Sequence, residues 1–236
     1  MMIDGHVHFG SLPHNGKMFG SFEEYKRICD KIGVSRYCTQ PIGISDNFSR
    51  KTTPDNSAVL SAFAKDSKII PIYWFNVFDL PEKIDGCYKA IKLHSDIGQV
   101  SIDDKRVIDF VNKINLPVFV HTNENKEFSN LDKVIKLAEN VEVPVIALHS
   151  GSVTKTFFRL DDYKFPDNVY FETSGIQYAF ILKKIYQMFG ADRIIFGSDY
   201  PFGDPRVSLA MIETLDATKE EYANIVCKNI EKILKL

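Results

Sequence analysis

Ala90-Ile91-Lys92-Leu93-His94, Val118-Phe119-Val120-His121 and Val145-Ile146-Ala147-Leu148-His149 are three short apolar runs, each closed by a histidine. Their length and β-branched content read as buried strands. Between them the pattern changes period. Val107, Ile108, Val111 and Ile114 fall on one face of a helix, as do Leu131, Val134, Ile135 and Ala138. Pro117 and Pro144 stand where each helix must have ended, just before the next strand. A strand, a helix and a second strand in this order make a crossover unit, which pairs strands in parallel.

The same alternation extends in both directions. Met2–His8, Ser35–Gln40 and Ile69–Phe75 precede these runs, and Val169–Glu172 and Ile194–Gly197 follow them. Ser129 with Asp132, and Thr218 with Glu221, have the spacing of helix N-termini. Eight strands with intervening helices predict an α/β fold, a (β/α)₈ TIM barrel formed as a single domain over residues 1–236. The length is close to the roughly 250 residues such a barrel needs.

Composition narrows the class of function. A net charge of −2 without a long basic run argues against nucleic acid as a partner. No apolar stretch reaches the roughly 18 residues of a membrane span, and Met1-Met2-Ile3-Asp4 has no signal-peptide character. Cys29, Cys38, Cys87 and Cys227 are far apart and form no Cys-x-x-Cys pair, so they are expected reduced. A cytoplasmic enzyme acting on a small molecule is the simplest expectation, with a homodimer the commonest assembly for such a chain.

The polar residues gather where a barrel builds its active site. His6 and His8 end the first strand, His94 the fourth, His121 the fifth and His149 the sixth, and Asp199 follows the eighth. The C-terminal ends of barrel strands converge on one mouth. Residues i and i+2 of a strand share a face, so His6 and His8 can offer two ring nitrogens to one ion. With His121 and Asp199 the set becomes three nitrogens and one oxygen, suited to zinc or to manganese or another first-row divalent metal. One position would remain for water or substrate, and the ion would lower that water's pKa toward about 7.

These residues also carry a family resemblance. Ile3-Asp4-Gly5-His6-Val7-His8, Val120-His121, Leu148-His149-Ser150-Gly151, Phe196-Gly197-Ser198-Asp199-Tyr200-Pro201 and Cys227-Lys228-Asn229-Ile230 resemble the amidohydrolase superfamily. Within it they look like the branch of amidohydrolase-related metal-dependent hydrolases. The resemblance spans residue 3 to about 230 and implies metal ligation by His6, His8, His121 and Asp199, with His149 near the water or substrate. Some branches carbamylate a strand-four lysine to bridge two metals. The branch resembled here usually holds one metal, and Lys92 is then a barrel-interior cation paired with a carboxylate such as Glu172.

The leading expectation is hydrolysis of a small ester, lactone or amide, with Asp199 or His149 moving the proton. The alternative is a non-oxidative decarboxylase of a small unsaturated or aromatic acid. That chemistry needs a cation for the departing carboxylate, for which Arg50, Arg159 and Arg206 are candidates. A TatD-like nuclease would carry a strand-four Glu, where this chain has Lys92 and His94. A polymerase-and-histidinol-phosphatase-like phosphoesterase would want a histidine after His149. A non-catalytic metal-binding barrel would have a closed ligand set, not one at an open mouth. His14, Lys92, His94, Tyr200, Phe202 and Arg206 are further candidates to line the pocket, whereas Tyr73-Trp74-Phe75 is assigned to strand packing.

Overall fold

The computed structural model describes residues 1–14, 17–42 and 53–236. Eight parallel strands stand in chain order: β1 (Met2–Phe9), β2 (Val34–Pro41), β3 (Ile69–Trp74), β4 (Ala90–Leu93), β5 (Val118–His121), β6 (Val145–Leu148), β7 (Val169–Glu172) and β8 (Ile194–Ile195). Each pairs with its chain neighbour, and a short hairpin (Leu12–His14 with Lys17–Phe19) stands apart. The ring closes by backbone bonds. Gly5 N–H donates to Phe196 O at 2.8 Å, Asp199 N–H to His6 O at 2.8 Å, and His8 N–H to Tyr200 O at 2.8 Å. A side chain on Gly5 has no room at this seam, because a Cβ would lie 2.8 Å from Phe196 O and from the Ile195 side chain.

The inner strands are near-continuous apolar runs because helices cover the barrel's outside. Val118, Phe119 and Val120 of β5 and Val145 through Leu148 of β6 are fully buried. The helix over Lys105–Ile114 starts at Asp104, whose side chain accepts from Arg106 N–H, and buries Val107, Phe110 and Val111 against the strands. Thr218 and Glu221 form a reciprocal capping box at Lys219–Ala223. The other expected cap lies one residue further on. Asn130, not Ser129, accepts from Lys133 N–H to open Leu131–Ala138, because the Ser129 hydroxyl is turned to Asp96 at 2.9 Å.

The last helical segment holds the seam from outside. It runs through Lys219–Ala223, a π-turn at Asn224–Lys228 and Asn229–Leu234. In the π-turn, Ile225 O accepts from Phe196 N–H at 3.0 Å, and Asn229 donates to Ala191 O at 2.8 Å and Ile194 O at 2.7 Å. The end of β8 is therefore hydrogen-bonded to the C-terminal helix on one side and to β1 on the other. Among the described residues, no helix is long and apolar enough to cross a membrane.

Candidate metal and active site

The strand ends bring His6, His8, Lys92, His94, His121, His149 and Asp199 to one mouth. His6 and His8 project from the same face of β1, as the i, i+2 spacing requires. Asp199 enters from the turn after β8 at a φ of 57°, and His149 follows β6 at a φ of 64°. Two site residues thus occupy the left-handed region that side chains usually avoid, a strain the surrounding barrel must hold. Gly197 matters for a different reason. A Cβ there would lie 2.2 Å from Glu172 Oε1 and 3.0 Å from His6 Cβ, so only glycine lets the Asp199 turn pass over the buried carboxylate.

His6 Nε2 and His8 Nε2 lie 3.3 and 3.1 Å from Asp199 Oδ1. Tetrahedral ligands bonded at 2.0–2.1 Å would stand roughly 3.3–3.4 Å apart, so these three atoms fit the edges of such a site. The far side of each ring is already occupied. His8 Nδ1–H donates to Pro41 O at 2.8 Å, while His6 Nδ1 faces Ser174 Oγ at 3.3 Å and Glu172 Oε2 at 3.4 Å. Such partners leave the Nε2 of each neutral ring with its lone pair toward Asp199. His6, His149 and Asp199 also offer donor atoms within 4.8 Å of one another. His121 stands one step further out, with Nδ1 3.1 Å from His149 Nε2 and Nε2 3.6 Å from Asp96 Oδ2.

Electrostatics favour the metal-binding forms. Burial, followed by the charge of Lys92, holds His6 well below the ordinary imidazole range and lowers His8 as well. Burial works against ionisation of Asp199, but its close approach to His6 and His8 outweighs it and holds the carboxyl well below the usual range. Neutral imidazoles beside an ionised carboxylate are the donor set a first-row divalent cation takes. Burial lowers Lys92 to about 8. The Lys92 ammonium does not pair with Glu172 as expected. It lies 3.1 Å from His6 Nε2 and 4.8 Å from the centre of the Trp74 ring.

Above these groups is a cavity of about 210 Å³, lined by His8, Trp74, Lys92, His94, Ile97, His121, His149, Asp199 and Phe202. Trp74, assigned to packing on sequence grounds, is a wall of this cavity. Its ring stacks on His94 at 5.8 Å, and His94 stacks on His121 at 3.8 Å. Phe202 meets His8 edge-on from the other side at 5.4 Å.

Three other candidates lie elsewhere. Tyr200 is behind the wall, packed on Tyr25 with its hydroxyl donating to Ser21 O. Arg206 is exposed and forked onto Asp204, which caps the helix Pro205–Glu213. Arg159 pairs with Asp162 at the surface. The His14 side chain and Arg50 lie outside the described residues.

Two groups stand here that carry no motif. Gln40, fully buried at the end of β2, points Nε2 at His8 Nε2 (3.4 Å) and leaves Oε1 without a partner among the described residues. Glu172 and Ser174 continue β7 with the same i, i+2 spacing as His6 and His8, a signal that could have found them. Burial raises the Glu172 pKa, against the opposing hydrogen bonds from His149 and Ser174.

This is a barrel with a histidine- and aspartate-lined site at the C-terminal ends of its strands. A family model described as Amidohydrolase matches residues 83–236, and the chain belongs to the amidohydrolase family. Comparison with curated proteins gives no match. Solved structures share the whole architecture. 2,6-Dihydroxybenzoate decarboxylase from Rhizobium is 15% identical with a TM-score of 0.73, covering 99% of this chain and 98% of that one. A protein assigned as a 2-pyrone-4,6-dicarboxylic acid hydrolase from Pseudomonas putida is 13% identical with a TM-score of 0.73, over 99% and 97%. Dihydroxybenzoic acid decarboxylase from Polaromonas sp. JS666, with bound manganese and 2-nitroresorcinol, is 15% identical with a TM-score of 0.74, over 100% and 97%. At these identities the likeness is one of fold.

Proposed function

We propose that the chain is a metal-dependent hydrolase of a small ester, lactone or amide, with one divalent cation held by His6, His8, Asp199 and a third histidine at the mouth. One observation carries this reading: the Nε2 atoms of His6 and His8 converge on an ionised Asp199, and His8 and Asp199 line a small cavity. His149 has a donor atom within 4.8 Å of His6 and Asp199, whereas His121 reaches the group through His149. Zinc and manganese both suit these donors, and the Polaromonas structure holds manganese. When bound, the ion supplies a Lewis acid for a carbonyl and acidity for a water.

The chain's own residues supply the rest. Asp199, kept as carboxylate, takes the proton of the attacking water and returns it to the leaving group. His149, at the cavity wall, orients that water or the substrate carbonyl. Trp74, His94 and Phe202 exclude bulk solvent and bound the substrate. A cavity of about 210 Å³ is below the roughly 300–1,000 Å³ of drug-sized sites, which favours a substrate of one small ring or a short chain.

A decarboxylase is the second reading, and one feature favours it. Lys92 places a buried ammonium in the cavity wall, where a substrate carboxylate could pair with it. Among the described residues no arginine lines that cavity.

The test is metal content and product type. Protein purified without chelators should hold about one equivalent of a divalent metal, lost in His6→Ala and Asp199→Ala. A panel of aryl esters, lactones and amides should release acid without carbon dioxide. Release of carbon dioxide from an aromatic acid would replace hydrolysis with decarboxylation. A wild type that binds neither zinc nor manganese after reconstitution would end both readings.

A further inference from the structure

Two site histidines share a single hydroxyl. Ser174 Oγ lies 2.9 Å from His149 Nδ1 and 3.3 Å from His6 Nδ1, and it donates to Glu172 Oε2 at 2.7 Å. Glu172 is itself saturated with donors. The backbone N–H of Ser174 reaches Oε1 at 2.6 Å and that of His149 reaches Oε2 at 3.0 Å. All of these groups are buried: Glu172 and Ser174 are wholly inaccessible and His149 is 7% exposed. The arrangement is sterically enforced, since a Cβ on Gly197 would collide with Glu172.

Hydrogen counting fixes the consequence. A serine hydroxyl has one proton and two lone pairs. Its proton is committed to Glu172, an acceptor on both oxygens, so toward both imidazoles Ser174 can only accept. His6 and His149 must then carry a proton on Nδ1, and in the neutral ring the Nε2 atom presents its lone pair. For His6 the lone pair faces Asp199, and for His149 it faces His121. Glu172 Oε2, 3.4 Å from His6 Nδ1, is also an acceptor and is consistent with the same tautomer.

We propose that Glu172 and Ser174 are positioning residues that set the tautomer and ring orientation of His6 and His149 together, from one buried carboxylate through one shared hydroxyl. Neither touches the cavity. They act through the imidazoles, and loss of such an orienting partner typically weakens metal affinity about 10–100-fold. For His6 this inference rests on the reading of that residue as an ion ligand. The tautomer itself does not.

The experiment records long-range ¹H–¹⁵N imidazole spectra of the metal-free protein near neutral pH, together with zinc affinity by chelator competition. Wild type should show His6 and His149 as Nδ1–H tautomers. Ser174→Ala should change the signals of both rings at once and weaken zinc binding roughly 10–100-fold, and Ser174→Thr, which keeps the hydroxyl, should restore both. Ser150→Ala is the control for general damage. It removes another buried hydroxyl, bonded to the Glu172 backbone at 2.8 Å, and should leave the tautomers and affinity unchanged. Three results would overturn the proposal: an Nε2–H tautomer at either ring in wild type, Ser174→Ala with wild-type signals and affinity, or an equal disturbance from Ser150→Ala. Because wild type alone can give the first, the proposal stays testable if Ser174→Ala does not fold. A wild type with both Nδ1–H tautomers and no zinc binding would remove the metal reading and leave the positioning intact.

Discussion

The arc β4–β6 and the seam between β1 and the chain after β8 solve the same pairing problem with different material. The arc is laddered strand to strand, Ile91 to Val118, Phe119 to Ile146 and Val120 to Ala147, with buried Val, Ile, Ala, Leu and Phe between. The seam has a two-residue β8, three cross-bonds from β1 and its following turn, and a buried carboxylate. Asp4 accepts from Ser198 N–H at 2.9 Å, His6 N–H at 3.2 Å and the Tyr25 hydroxyl at 2.9 Å. Apolar packing is tolerant and adds stability over area. A few directional bonds around buried polar groups give less margin but fix positions closely. His6, His8 and Asp199, the proposed ion ligands, stand on the seam, where position matters most.

The largest effect should separate chemistry from stability. Asp199→Asn keeps the shape of the seam and is expected to cut turnover by roughly 10²–10⁴-fold while thermal unfolding changes little. Comparable loss from a conservative change in the arc would break the contrast. Next comes Gly197→Ala, whose added methyl must displace Glu172. Overpacking of this kind costs roughly 1–3 kcal/mol, and urea unfolding together with zinc affinity should show stability and site falling together.

The seam should also answer to pH. Burial pushes the Asp4 carboxyl from 3.8 up to about 7, against the hydrogen bonds that oppose it. Between those values the folded chain holds a proton that the unfolded chain has released, so this contribution is complete below 3.8 and is lost as pH rises through about 7. Stability of wild type relative to Asp4→Asn should therefore fall across that window, measured by urea titration at several pH values. A flat difference would mean the carboxyl stays ionised there. The smallest effect belongs to the arc. Ile146→Val is expected to cost about 0.5–1.5 kcal/mol and leave turnover as it was.

The same contrast explains what could be read from the sequence. Strands and helices were legible because the arc's apolar runs and the intervening helical period are local signals. The histidines were legible because strand ends of a barrel share one mouth. Trp74 was not, since neighbouring residues of Tyr73-Trp74-Phe75 point to opposite faces and nothing local says which face is the cavity. Arg206 failed as a pocket residue because Asp204, two positions away, offers it a fork at the helix start. Asn130 displaced Ser129 as a cap because Asp96, distant in sequence, claims the serine. Ser174 shares the i, i+2 spacing of Glu172, but its contacts with His6 and His149 exist only once β1, β6 and β7 stand together.

The bond from Phe196 N–H to Ile225 O orders events in time. At roughly 5–20 residues per second, translation delivers Ile225 about 10–40 s after the His6–His8 strand has left the ribosome. Until then the end of β8 and the aspartate turn have their partners in β1 but lack the outer brace on Phe196 N–H. The first-made strand and the last-made helix thus meet at one seam, and a chain cut short of Ile225 would lose one of the bonds that hold the His6–His8 strand and the Asp199 turn in register.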